Sequence, residues 1–180
     1  MTWLYEAHHR IPDNVEIVAI STPVPLPDGT ERRVFLVTGA SFDDDELHAR
    51  ASLAEFNTCP VIDRALFVQD AAPSTLAEHR AQQELQNPEH WQYICDNAWI
   101  DAENSLEGVA AMVEGIRPLF TTNPTEKGFA IWMSNAPRRP LPDMAFSLHT
   151  DAYVAAYTVY EDPAEFARNR AWADRLHGAR

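Results

Sequence analysis

The side chains best suited to chemistry lie in a strand-like segment at residues 90–100. Successive side chains of a strand point to opposite faces, so Trp91, Tyr93 and Asn97 share one face of this segment. Flat aromatic side chains with a few hydroxyl and amide groups are typical of surfaces that bind a planar or ring-bearing molecule. This face therefore predicts a ligand-binding surface, with a second domain, a second copy of the chain or an ordinary core as the alternatives.

The same mixture of aromatic and small polar side chains recurs in three later segments, 128–134, 144–150 and 152–160. Taken together, the four segments supply the predicted lining of one site: Trp91, Tyr93, Asn97, Trp132, Ser147, His149 and Tyr157. The selection depends on strand parity, and a register error of one residue would exchange the two faces.

Other motifs that carry chemistry are absent. None of the six glycines lies in a G-x-G-x-x-G or P-loop arrangement, so no nucleotide-binding loop is predicted. The sequence contains no G-x-S-x-G, H-E-x-x-H or C-x-x-C motif. Cys59 and Cys95 are too few for a disulfide scaffold and are predicted to be free, buried thiols. We expect no metal site.

Composition narrows the classes of partner. A net charge of −13 argues against nucleic acid, whose phosphates require basic patches. No apolar run is long enough for a transmembrane helix, and the first residues do not resemble a signal peptide. We therefore expect a cytoplasmic protein that binds neither nucleic acid nor a membrane.

The elements that must position these side chains follow from periodicity and turn residues. Hairpins outnumber β-α-β units, which predicts an α+β fold: one domain over 1–180, with a large, mainly antiparallel sheet and helices packed on one face. A helix capped by Ser41 is expected to bury Leu47, and the last helix to begin at Asp162-Pro163. The predicted helices are 2–10, one after 41, 75–85, 104–119 and one ending near 176; the predicted strands are 15–22, 31–38, 61–69, 90–100, 128–134, 144–150 and 152–160.

The final third of the chain resembles a known family. Residues 141–149 read Leu-Pro-Asp-Met-Ala-Phe-Ser-Leu-His, and 153–163 form an aromatic strand that ends in Tyr-Glu-Asp-Pro. A helix containing Asn169 and Trp172 follows. This order resembles the substrate domain of FAD-linked oxidases, the berberine-bridge-enzyme-like members of the vanillyl-alcohol-oxidase superfamily. The resemblance is sharpest over 141–175, and the earlier elements stand in the expected order.

The resemblance implies that the open face of the sheet covers the isoalloxazine ring of FAD. FAD itself would be bound mainly by a separate domain that this chain lacks, so an FAD-binding domain or chain is the expected partner. The whole enzyme would oxidise a small alcohol, amine or sugar-like substrate by hydride transfer to FAD. On this interpretation the chain is a fragment or one piece of a split enzyme, and is inactive alone.

Two departures from the family bear on mechanism. Tyr160 replaces the usual tryptophan of the corner motif, and the usual catalytic glutamate is missing from 132–135. Tyr93 or Tyr157 then becomes the candidate base, and His149 the orienting or proton-handling group. A tyrosine base requires its pKa, ordinarily about 10, to be lowered by the flavin or a nearby donor.

Two other functions stay open on the sequence. One is a stand-alone α+β ligand-binding module; the other is a cofactor-free oxygenase of the dimeric α+β barrel kind. Either the oxygenase or an unpartnered fragment could form a homodimer through the sheet face.

Overall fold

The computed structural model describes residues 1–26, 28–87, 89–101, 105–134, 142–143, 145 and 150–175. Within these residues five antiparallel strands form one sheet in the order β2-β1-β4-β5-β3, which confirms the α+β prediction. The strands are β1 (Val15–Pro25), β2 (Glu31–Ser41), β3 (Gln92–Ile100), β4 (Phe129–Ser134) and β5 (Ala152–Tyr160). The helices are α1 (Thr2–His8), α2 (Glu46–Ser52), α3 (Leu76–Gln86), α4 (Leu106–Thr121) and α5 (Phe166–Ala173).

The hairpin of β1 and β2 is longer than predicted, because the ladder continues from Val15↔Ser41 to Pro25↔Glu31. Its turn is stabilised by the carboxylate of Asp28, which accepts hydrogen bonds from the backbone N–H and the hydroxyl of Thr30.

Strand β5 fixes the register of the other half of the sheet because it is paired on both sides. It faces β3 from Gln92↔Tyr160 to Ile100↔Ala152, and β4 from Phe129↔Tyr157 to Ser134↔Ala152. Side chains alternate between the two faces, so these ladders determine which residues of the three strands lie together.

Helices cover only one face of the sheet, as predicted. The amphipathic helix α4 begins at Ser105, whose side chain accepts from Gly108 N, and it packs on β1 and β4. Helix α1 lies against α4, and α5 lies against β3 and β5. Within the described part of the chain every helix is too short or too polar to traverse a lipid bilayer. The buried sheet residues under the helices include Ile17, Ala19, Ile94, Ala98, Ala130, Trp132, Val154 and Ala156.

Helix α2 differs from the prediction at both its start and its packing. Its cap is Asp45, whose carboxylate accepts from His48 N, and not Ser41. Leu47 was expected inside but is 80% exposed, because this two-turn helix buries only Ser52. The following 3-10 turn places the ring of Phe56 against Gly39 of β2, where an added Cβ would stand 2.2 Å from Cζ, so any larger residue would require Phe56 to move.

The predicted strand at 61–69 is wrong. A 3-10 turn covers Ile62–Arg64, and Leu66, Phe67 and Val68 follow without regular structure and exposed. High strand propensity was not enough, because no neighbouring strand completes the backbone hydrogen bonds there. The helix predicted at 75–85 is confirmed as α3, and it begins with a capping box between Thr75 and Glu78.

The end of the chain agrees with the prediction where it is described. The Asp162 side chain accepts from Ala164 N and opens a 3-10 turn that leads into α5. Helix α5 ends at Ala173, while the prediction ended it near 176. The predicted strand at 144–150 lies mostly outside the described residues.

Candidate functional site

The face of the sheet opposite the helices is partly exposed: Tyr93 is 41% exposed, whereas Ala155 and Val159 are buried among their neighbours. We call its portion on β3, β5 and β4 the open face. None of its side chains is charged, although the chain as a whole has a net charge of −13. Its residues are Tyr93, Cys95, Asn97 and Trp99 of β3, Tyr153, Ala155, Tyr157 and Val159 of β5, and Phe129, Ile131 and Met133 of β4.

Tyr157 stands at the centre of the open face. Its cross-strand neighbours are Cys95 on one side and Phe129 on the other. The rings of Phe129 and Tyr157 are stacked, with centroids 4.4 Å apart and planes 16° from parallel. The Tyr157 hydroxyl shares hydrogen bonds with the side chains of Cys95 and Tyr153, and its backbone carbonyl accepts from Asn123 Nδ2. Tyr157 is therefore fixed by contacts on every side.

A second aromatic pair involves Tyr153, four residues before Tyr157 on β5. The Tyr153 ring meets Trp99 of β3 with centroids 4.8 Å apart, and its neighbour on β4 is Met133. Stacked and tilted rings joined by hydroxyl groups make a flat apolar wall with hydrogen-bonding points. Such a wall can hold a ring-bearing ligand and orient its polar atoms.

The structure brings three of the predicted site residues to this one side. Tyr93 and Asn97 of β3 and Tyr157 of β5 lie on the open face, and the Tyr93 side chain is 41% exposed. Trp91 is half-buried, one residue before β3 and in step with Tyr93. The parity argument for this strand thus gave the correct face.

Trp132 does not belong with them. It is 1% exposed and lies in the core, on the helix-covered face of β4 with Ala130. The placement of Trp132 in the site is therefore wrong, because β4 is apolar on both faces and its aromatic residue was assigned to the wrong one. Ser147 and His149 fall outside the described residues, so their positions are not given by the structure.

Burial raises the pKa of the tyrosines on the open face. Loss of solvent raises the pKa of Tyr93, and it is the largest cause that raises the pKa of Tyr157, with the hydrogen bond to Cys95 adding to it. Burial likewise raises the pKa of Tyr153 and of the Cys95 thiol. A tyrosine base requires the opposite shift. In this chain Tyr93 and Tyr157 are protonated at neutral pH and act as hydrogen-bond donors.

Tyr153 and Cys95, whose side chains share hydrogen bonds with the Tyr157 hydroxyl, are not among the site residues predicted from the sequence. Tyr153 is in step with Tyr157 on β5, and this signal was available. The contact of Cys95 with Tyr157 depends on the register of β3 against β5, which the sequence did not supply.

The open face fits the ring portion of a flavin better than its phosphates. Its aromatic walls suit a flat heterocycle, whereas a pyrophosphate requires backbone N–H groups at a glycine-rich turn or clustered cations. The open face offers neither. Among the described residues no three His, Cys, Asp or Glu side chains are close enough to hold a metal ion.

Comparison with known proteins shows similarity over nearly the whole chain. No family model matches. The chain is 28% identical over 165 residues, 90% of its length, to the FAD-linked oxidoreductase ptmO of Penicillium ochrochloron. It is 27% identical over 165 residues to the FAD-linked oxidoreductase penO of Penicillium crustosum. It is also 24% identical over 181 residues to the FAD-linked oxidoreductase nodO of Hypoxylon pulicicidum. These matches support a relationship to FAD-linked oxidases.

The matched part is only a portion of each relative. It makes up 34% of ptmO and of penO and 37% of nodO. The chain thus spans about a third of the length of the curated relatives it matches.

Proposed function

We propose that this chain is the substrate-side domain of an FAD-dependent oxidoreductase of the berberine-bridge-enzyme-like kind, with FAD bound mainly by another domain. The observation that carries the proposal is the open face: an uncharged aromatic wall with hydroxyl and amide groups, in a chain similar over 90% of its length to FAD-linked oxidoreductases. When bound, FAD would accept the hydride. The chain's own residues bind and orient the substrate.

The phenols are the orienting groups in this proposal. Tyr93 is protonated and lies on the open face, so it donates a hydrogen bond to an oxygen or nitrogen of the substrate, while the Tyr157 oxygen, whose proton is shared with Cys95 and Tyr153, accepts one. Asn97, on the same face, adds both a donor and an acceptor. Trp91 bounds the wall. His149 stays the predicted proton-handling group, since the raised pKa values of the tyrosines disfavour them as bases.

The absence of charge on the open face bears on the substrate. An ammonium or carboxylate group would be desolvated there without a charged partner, which is costly. Of the alcohol, amine and sugar-like substrates expected, an uncharged alcohol fits this wall best. A sugar, with many hydroxyl groups to satisfy, fits less well because Ile131, Met133, Ala155 and Val159 offer no hydrogen bonds.

A chimera tests the proposal. This chain would replace the matched third of ptmO, and the purified protein would be mixed anaerobically with a panel of neutral alcohols. We expect bleaching of the visible flavin band by at least one alcohol. A Tyr157→Phe chimera should retain the flavin but be reduced at least tenfold more slowly, because it loses one hydrogen bond worth about 1.4 kcal/mol.

Trp132→Phe is the matched control, because its ring is buried away from the open face. It should alter the reduction rate much less than Tyr157→Phe. A chimera that folds and holds flavin but shows equal rates for both variants would contradict the role given to the open face.

A titration of the separate chain with FAD tests where the cofactor is bound. We expect no stoichiometric change in the flavin spectrum, since no described group fits the pyrophosphate. Tight one-to-one binding would overturn the proposal that another domain holds FAD. It would favour the stand-alone ligand-binding module instead.

A further inference from the structure

The interface between α5 and the sheet contains polar groups that the protein does not satisfy. Asn169 of α5 and Thr158 of β5 are both 0% exposed. Neither the amide nitrogen and oxygen of Asn169 nor the hydroxyl of Thr158 has a hydrogen-bond partner among the described residues. Leaving such groups unsatisfied costs about 1–3 kcal/mol each, so native proteins rarely do so.

Both residues belong to the interface between α5 and the sheet: Asn169 is one of the buried residues of α5, and Thr158 lies on β5, against which α5 packs. Arg170, next to Asn169, reaches Asp96, with Nη2 and Oδ2 3.7 Å apart, and Asp96 faces Ala156 across the ladder. One turn after Asn169, Trp172 Nε1 donates to the Thr122 hydroxyl at 3.3 Å.

Thr122 also connects α5 to β5 through the residue that follows it. The next residue, Asn123, donates from Nδ2 to the backbone carbonyl of Tyr157. The contacts of Arg170 and Trp172 thus fix α5 against β3 and, through the residue before Asn123, near β5. Thr158 projects from β5 on the same side as Ala156, towards α5.

We infer that the interface between α5 and β5 contains an internal water site, in which ordered water bridges the Asn169 amide and the Thr158 hydroxyl. The amide offers donors as well as an acceptor, and the hydroxyl can do either, which matches water.

The bound water would join α5 to the strand that carries Tyr153 and Tyr157 on its other face. It would also explain a polar residue at the centre of a helix–sheet interface that is otherwise formed by Trp172 and Ala173. The inference does not depend on the proposed function.

Direct observation is the first test. A high-resolution crystal structure of this chain should show a water at about 2.7–3.2 Å from Thr158 Oγ1 and from one amide atom of Asn169. In solution, the Asn169 side-chain amide protons should show cross-relaxation with long-lived water. An Asn169 amide bonded directly to protein atoms, with no water between, would overturn the inference.

Paired substitutions are the second test. Thr158→Val and Asn169→Leu should each lower Tm by about 2–4 °C, because each leaves the remaining polar group without its bridge. The double variant should lose clearly less than the sum, since it removes both groups and the need for water. Losses that add fully would count against a shared site.

Thr38→Val supplies the control. The Thr38 hydroxyl donates to Val18 O on the far hairpin, so its loss should be additive with that of Asn169→Leu. Coupling of equal size at Thr38 would show that the non-additivity does not report on bound water.

Discussion

At the scale of single residues, neighbours decide what Tyr157 can do. Stacking on Phe129 and hydrogen bonds with Cys95 and Tyr153 leave a rigid, protonated phenol. A rigid hydroxyl suits recognition, because little conformational freedom is lost when it meets a hydrogen-bonding group of the substrate. The same burial removes it from consideration as a base unless a cofactor changes its surroundings.

Alkaline unfolding should reveal the raised pKa of Tyr157. Below about pH 10 the phenol is protonated in both states, and its contribution to stability is complete. As the pH rises further the unfolded state loses its proton first, so the free energy of unfolding falls until the folded phenol also ionises. Tyr157→Phe should flatten this fall by less than about 1.4 kcal/mol per pH unit, since the ring is partly solvated.

Urea denaturation at a series of pH values measures that slope. Trp99→Phe is the control, because it alters an aromatic residue of the open face without removing a titrating group. An unchanged slope in Tyr157→Phe would mean that the phenol ionises alike in the folded and unfolded states.

Trp132 should behave as a core residue. Trp132→Ala is expected to lower the free energy of unfolding by about 3–5 kcal/mol, because it leaves a large cavity under α4. Tyr93→Ala, on the exposed face, should cost about 1 kcal/mol or less. Urea denaturation compares the two; an equal cost would contradict the buried position of Trp132.

At the scale of elements, α3 and α4 differ in the interactions that stabilise them. Helix α4 buries Val109, Met112 and Ile116 against the body of the protein, whereas α3 is exposed from Leu76 to Glu84. An isolated helix of this length is marginal in water, so α3 depends on its capping box.

Substitution of the N-cap residues Thr75 and Ser105 should show this difference between α3 and α4. Thr75→Ala should speed amide hydrogen exchange in α3 but change global stability by less than about 0.5 kcal/mol. Ser105→Ala should cost about 1 kcal/mol globally, because α4 is part of the core. Hydrogen exchange with a urea titration measures both; a global loss in Thr75→Ala would mean that α3 packs against the body.

The elements also show how far the sequence leads. Period-2 alternation in β3 grouped Tyr93 with Asn97 correctly, because the strand is regular and its ladder with β5 is continuous from Gln92 to Ile100. In β4 both faces are apolar, so alternation separated Phe129 from Trp132 without indicating which one meets the helices. Leu66 to Val68 read as a strand but has no pairing partner, and pairing is a property of the whole sheet.

At the scale of the whole molecule, the open face presents uncharged, largely aromatic side chains that none of the described helices covers, although Ala155 and Val159 between them are buried. Surfaces of this kind usually meet another protein or a ligand. An FAD-binding domain is the partner that we propose, and a second copy of the chain is the alternative. The separated chain should therefore self-associate through this face.

A single charge should weaken that association. Ile131→Lys places an ammonium group in the middle of the open face and should shift sedimentation equilibrium towards monomer. Leu47→Lys, at an exposed position of α2, should leave it unchanged. Far-UV circular dichroism checks that both variants stay folded. A parent chain that is monomeric at high concentration would contradict the prediction.

The double pairing of β5 also limits how this protein can vary in length. Deleting one residue there would exchange Tyr153 and Tyr157 with Val154 and Thr158, turning the phenols towards the core and the core-facing side chains outward. Both neighbouring strands would be affected at once. Insertions and deletions should therefore accumulate in 61–91, which lies mostly exposed, while the wall on β5 can change its chemistry only by substitution.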